Sequence, residues 1–89
     1  MGVHCDPKKD ALNRRKHGIS LYRAEEFDLD TARFDQDDRD DYGEVRWTAV
    51  GWLDGKLYVL IFVLEEDESM RVISLRKATR EERREYAEG

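Results

Sequence analysis

Eighty-nine residues, 42% of them charged and with a formal net charge of −5, fit one small domain. Such a domain buries only about 60–65% of the surface its unfolded chain exposes, so it has little stability to spare. No apolar run of about 18 residues occurs, nor a basic segment followed by an apolar stretch and a small-residue cleavage site, which argues against a membrane span or secretory signal and for a cytoplasmic protein. The single cysteine, Cys5, excludes an internal disulfide. With His4 and Asp6 it makes at best a weak metal set, and a structural or incidental thiol is the simpler reading.

In chain order, Asp6 followed by Pro7 is a good N-cap and first-turn pair, and Gly18 is a suitable left-handed stop, so a helix is predicted over Pro7 to His17. Ser20 can cap a second, shorter helix through Phe27, with Ile19 and Ala24 as a hydrophobic staple. Asp30 to Asp35 is predicted as a short edge strand. Charge is concentrated here: residues 25–44 hold ten acids against Arg33 and Arg39, net −8, which leaves +3 for the remainder. A cationic working surface can therefore coexist with an acidic flap. Gln36 to Glu44 reads as a solvated, mobile loop. A calcium loop fits poorly, because Asp35-Gln36-Asp37-Asp38-Arg39 lacks the mid-loop glycine and the terminal glutamate.

Val45 to Leu53 and Lys56 to Leu64 flank Asp54-Gly55, a two-residue hairpin signal that needs positive backbone angles. The second of these strands is apolar on both faces and belongs inside the sheet. Glu66 to Ser69 turns the chain into a third long strand, Met70 to Lys77. Thr79 and Glu82 then form a capping box for a helix to about Glu88. The predicted fold class is α+β, with two N-terminal helices, an antiparallel sheet of three to four strands and a C-terminal helix.

A two-residue loop sets Trp47 opposite Phe62 and Val50 opposite Val59. One face then carries Trp47, Ala49, Gly51, Leu60 and Phe62 as core. The other carries Arg46, Thr48, Trp52, Val59, Ile61 and Val63. Placing Glu65 opposite Met70 adds Ile73 and Leu75 to the core, and adds Val72, Ser74 and Arg76 to the second face, where Arg46, Thr48, Ser74 and Arg76 approach one another. A one-residue slip in the last turn would reverse that assignment and bring up Arg71 instead. Arginine at a strand-to-helix junction commonly meets an anion, because its planar fork matches phosphate or carboxylate. Arg46 and Arg76 can equally pair with carboxylates at the sheet edge such as Glu44.

Three ordered blocks carry a resemblance to a known family. They are Cys5-Asp6-Pro7 through Asn13-x-x-Lys16-His17-Gly18-Ile19-Ser20, then Glu44-x-Arg46 with Ala49-Val50-Gly51, then Ile73-Ser74-x-Arg76-x-Ala78-Thr79 with Glu82-Arg83-Arg84 and Tyr86. Together they resemble the BrnT toxins of bacterial type II toxin–antitoxin systems. The resemblance implies a fold similar to the RelE ribonuclease toxins, cleavage of RNA, and neutralisation by the antitoxin BrnA, a ribbon-helix-helix-like DNA-binding protein that would form a hetero-oligomer with this chain. Cys5 departs from the usual tryptophan, and the acidic stretch from Asp35 to Asp41 departs in charge.

RNA cleavage without a metal needs a group to take the 2′-hydroxyl proton, cations for the charge developing on phosphorus, and an acid for the leaving oxygen. Arg76 and Arg46 are the candidate phosphate clamps. Arg80 stands at a helix N-terminus, where backbone donors also favour an anion, and His17 is the proton-transfer candidate. Lys16 and Glu44 are alternates for that transfer. A histidine just before a C-capping glycine can instead serve only to satisfy helix-end carbonyls. No metal or other cofactor is called for. Two other classes stay open: a non-enzymatic protein-interaction module with an acidic partner, and a nucleic-acid-binding module without chemistry.

Overall fold

The computed structural model describes residues 2–39 and 41–89; Asp40, within the acidic stretch, lies outside the described residues. Helix α1 (Pro7–His17) has the predicted ends. Asp6 accepts from the Lys8 N–H at 3.0 Å, and Gly18, at φ 72°, donates its N–H to the Arg14 carbonyl. Ser20 also caps as predicted, but the segment it caps, Leu21–Glu26, is a 3-10 helix and not a second α-helix. Six residues are too few to offset the cost of α-helix nucleation. The Asp28 N–H also donates to the Trp52 carbonyl at 2.9 Å, which draws the chain onto the sheet directly after Phe27.

Among the described residues the sheet has five strands, not three to four, and it is mixed. Strands β1 (Val3–His4), β2 (Arg33–Asp37), β3 (Arg46–Leu53), β4 (Lys56–Leu64) and β5 (Met70–Lys77) lie in the order β1-β5-β4-β3-β2. β1 runs parallel to β5, and the other pairs are antiparallel. β1 escaped prediction because two residues hold no period to read. β2 begins later than predicted because Asp28 holds a turn, accepting from the Asp30 N–H at 3.0 Å and the Thr31 hydroxyl at 2.8 Å.

The β3–β4 hairpin has the predicted register, with Trp47 opposite Phe62 and Leu53 opposite Lys56. Asp54 (φ 52°) and Gly55 (φ 75°) supply the positive angles of its turn. The next turn is one residue longer than predicted, since Leu64, not Glu65, faces Met70. A β-bulge at Ile73 then restores the expected pairing, with Ile61 opposite Ser74 and Val59 opposite Arg76. Val72, predicted for the second face, is therefore fully buried in the core opposite Phe62.

One sheet face packs Ala49, Leu60, Val72 and Leu75 against Ile19, Leu21 and Phe27. Gly51 lies on this face, and a Cβ there would stand 2.8 Å from Phe27 Cζ. Helix α2 (Arg80–Glu88) crosses the other face. Glu82 meets Arg76 on β5, and Tyr86 lies under the Arg33 guanidinium of β2, 5.2 Å from ring centroid to Cζ. Leu57, Val59 and Ala78 are buried beneath, with Val50 and Tyr86 against them. Val59 and Val63, predicted for this second face, are 1% and 6% exposed within this one chain, whereas Trp52 on the same face stays 41% exposed.

Candidate active site

Without the bulge, Arg71 and Arg76 would project from opposite faces, since side chains alternate along a strand. The extra residue at Ile73 puts both on the α2 side of the sheet. There Ser74 stands opposite Ile61, Ile61 opposite Thr48, and Asp37 opposite Arg46. Helix α2 covers only part of this face. The rest is a shallow polar surface, with Arg46 and Arg71 towards one end and Arg76 beside the start of α2.

Every one of these arginines is held by carboxylates. Arg76 makes a two-pronged bond to Glu82, at 2.8 and 2.9 Å. Glu82 also accepts the Thr79 N–H at 2.8 Å, and Arg76, aided by Thr79 against the opposing effect of burial, holds its carboxyl down at about 2. Glu44 bridges two cations: Oε1 accepts from Arg71, and Oε2 lies 3.6 Å from the Arg46 Nε. Arg71 also donates to Glu65 at 2.8 Å. The Arg46 guanidinium is stacked 3.9 Å above the Tyr42 ring centroid. Its Nε is buried and makes no hydrogen bond among the described residues.

The predicted solvated loop is in part neither solvated nor separate from the sheet. Asp37, with a side chain only 2% exposed, ends β2 and accepts two bonds from Arg39, at 2.8 and 3.0 Å. Those bonds, followed by the nearby Arg46 charge, hold its carboxyl below the usual range despite burial. Arg39 in turn is close enough to Arg76 for the two cations to repel.

His17 and Lys16 sit at the rim, where the end of α1 meets β5. Together with Leu12, Asn13, Ile73 and Ser74 they line a recess of about 230 Å³. Partial burial, then the charges of Lys16 and Arg76, depress the His17 pKa below its ordinary value. The imidazole is therefore neutral near pH 7 and able to accept a proton. Two neighbouring motif residues act as scaffold. Asn13 donates to the Ile19 and Leu75 carbonyls at 3.0 and 2.7 Å and accepts from the Leu75 N–H at 3.2 Å, clamping α1 to β5. Asp10 accepts from the Ser20 hydroxyl at 2.9 Å and the Leu21 N–H at 2.8 Å.

Of the residues singled out from sequence, the fold brings His17, Lys16 and Arg76 together and places Arg46 with Glu44 in a separate cluster. Arg80 is exposed at the first residue of α2. Arg71 surfaced in the sequence only as the outcome of a slipped register, and Arg39 and Tyr42 were hidden in a segment read as loop. Aromatic and arginine residues embedded in the acidic run were the available signal for those two. Among the described residues, no group of three His, Cys, Asp or Glu side chains is placed to hold a metal ion. Cys5 packs against the core, and burial raises its thiol pKa, which fits a structural thiol. No helix among the described residues is long and apolar enough to cross a membrane.

A family model for the ribonuclease toxin BrnT of type II toxin–antitoxin systems matches residues 5–82. Among solved structures, the chain is similar to the Brucella abortus ribonuclease toxin BrnT, with 28% identity and a TM-score of 0.72 over 90% of this chain and 99% of that one. No curated protein sequence matches. With the family model spanning all three motif blocks up to Glu82, and with the fold shared with a crystallised member, this chain belongs to the BrnT family of ribonuclease toxins of type II toxin–antitoxin systems.

Proposed function

We propose that this chain cleaves RNA with its own side chains and without a metal ion, and that a BrnA-like antitoxin of ribbon-helix-helix type neutralises it in a hetero-oligomer. The observation that carries the catalytic reading is the bulge at Ile73, which sets Arg71, Ser74 and Arg76 on one face with the neutral His17 at its rim. In this reading His17 takes the proton of a 2′-hydroxyl. The freed oxygen attacks the adjacent phosphorus, the bond to the 5′-oxygen breaks, and Lys16 supplies the proton to that leaving oxygen. The products are a 2′,3′-cyclic phosphate and a 5′-hydroxyl end.

Arg76 supplies cationic charge where the phosphorane charge develops. Its two terminal nitrogens face Glu82, and Nη1 also donates to the Lys77 carbonyl at 3.3 Å, which leaves the Nε–H and the second Nη2–H to a phosphate. Arg46 and Arg71, joined by Glu44, hold a neighbouring stretch of RNA backbone, and Arg80 extends the cationic track onto α2. Glu44 positions those two arginines in place of transferring protons, because its contacts are with them and not with His17.

The test is cleavage of RNA by purified, partner-free protein in excess EDTA. Cleavage that persists, with cyclic phosphate ends, is the expected result. Loss that added divalent metal restores overturns the metal-free mechanism. The carboxylate partner on each arginine favours a second reading, a binding module without chemistry, and absence of cleavage in every condition would select it.

A further inference from the structure

The face opposite the arginines is incompletely covered. α1 and the 3-10 helix pack over its β1–β5 side, and the end formed by β2, β3 and β4 stays open. Among the described residues, two of the six exposed large hydrophobic side chains lie there: Phe34 and Leu64, at 46 and 51% exposure. Phe34 stands edge-on to Phe62, 6.4 Å between centroids. With Leu29, Trp47 and Met70 they wall an apolar recess of about 410 Å³. A second recess of about 430 Å³ adjoins it, sharing Leu29 and Met70.

A sheet face carrying this much exposed aromatic and aliphatic surface at a rim of polar residues marks a contact site. Its occupant is set by charge. Glu25 lines the second recess, Asp28 and Asp30 flank Leu29, and among the described residues no lysine or arginine lines either recess. Two copies of this chain, each with net charge −5, would set acid against acid across such a contact. We infer that this groove seats the antitoxin, through an apolar segment flanked by lysine or arginine. The inference rests on the toxin–antitoxin reading and places the anchor on the side of the sheet opposite the arginines. Apolar burial holds the segment, and the acidic rim accelerates its approach.

The experiment uses the protein encoded by the reading frame beside this one as the binding partner. Leu64→Lys and Phe34→Lys should each weaken its binding at least tenfold. Asp30→Lys should slow association several-fold and reduce the salt dependence. All three variants should retain the parent's RNA cleavage and unfold within a few degrees of it. Leu64, half exposed at the end of β4, keeps the test valid if Phe34→Lys loosens β2. Unchanged affinity in Leu64→Lys overturns the groove assignment alone. A parent dimer that Leu64→Lys dissociates, with partner affinity unchanged, reassigns the groove to self-association and overturns it too. Failure of the parent to bind the neighbouring product overturns the toxin–antitoxin pairing beneath it.

Discussion

Arg76 does two things at once, and the variants that separate them are specific. Sequence placed it on the second sheet face as a candidate phosphate clamp, with no role in the fold. Instead it anchors the first turn of α2 through Glu82, so Arg76→Ala is expected to lower the unfolding temperature by several degrees, on the scale of about 1–3 kcal/mol for a charged hydrogen-bonded partner left alone. It should also reduce cleavage about 100-fold or more, as loss of a transition-state cation does. Because Arg76 depresses the His17 pKa, the same change should raise the imidazole titration midpoint, observable by NMR. Glu82→Gln keeps an acceptor for the Thr79 N–H while loosening Arg76, so it should cost stability without a comparable loss of cleavage. Proportional losses of stability and cleavage in both variants would make Arg76 a structural residue only.

At the scale of elements, the Ala49-Val50-Gly51 block has a packing cause. A methyl group on Gly51 would meet Phe27 Cζ at 2.8 Å and Ala32 Cβ at 2.9 Å, so Gly51→Ala should destabilise by about 1–3 kcal/mol. Phe27→Leu in the same background should recover part of it, and thermal unfolding of the two variants decides; an unperturbed Gly51→Ala would refute this packing. Local chemistry made much of the fold legible. The Asp6 cap, the Gly18 stop, the Asp54-Gly55 turn and the Thr79–Glu82 box each act within a few residues, and each element they bound lies where predicted. The features that sequence did not reveal depend on distant partners. β1 exists only because Val3 finds Met70. The Ile73 bulge has no glycine or proline to announce it, and Glu68 adopts φ 68° in a turn without a glycine. For the candidate site this meant that His17, Lys16, Arg46 and Arg76 could be named from composition and position. Their division into two clusters follows from the register, which sets Arg76 level with Val50 and not with Arg46, and the entry of Arg71 came from the bulge.

Across the whole molecule, much of the charge is committed to internal pairing, which makes the fold sensitive to acid. Asp37 is held below the usual carboxylate range chiefly by Arg39, and Glu82 at about 2 chiefly by Arg76. Burial opposes ionisation of Asp10, but the Leu21 N–H, the Ser20 hydroxyl and Arg14 outweigh it, and its pKa is also lowered. In the unfolded chain these groups take up protons at about 3.9 for aspartate and 4.3 for glutamate. The unfolded state therefore binds protons first as pH falls, so the stabilisation is complete above about pH 5 and is lost progressively towards about pH 2. His17, also depressed, adds a smaller loss of the same sign below about pH 6.5. Calorimetry over a pH series should give an unfolding temperature nearly level from about pH 7 to 5 and falling steeply below about pH 4.5. Glu82→Gln starts lower but has one fewer carboxylate to protonate, so its unfolding temperature should fall less over the acid interval. Equal acid losses in parent and variant would show that Glu82 is not linked to folding through its charge, and would remove the Arg76–Glu82 pair as the tie between the sheet and α2.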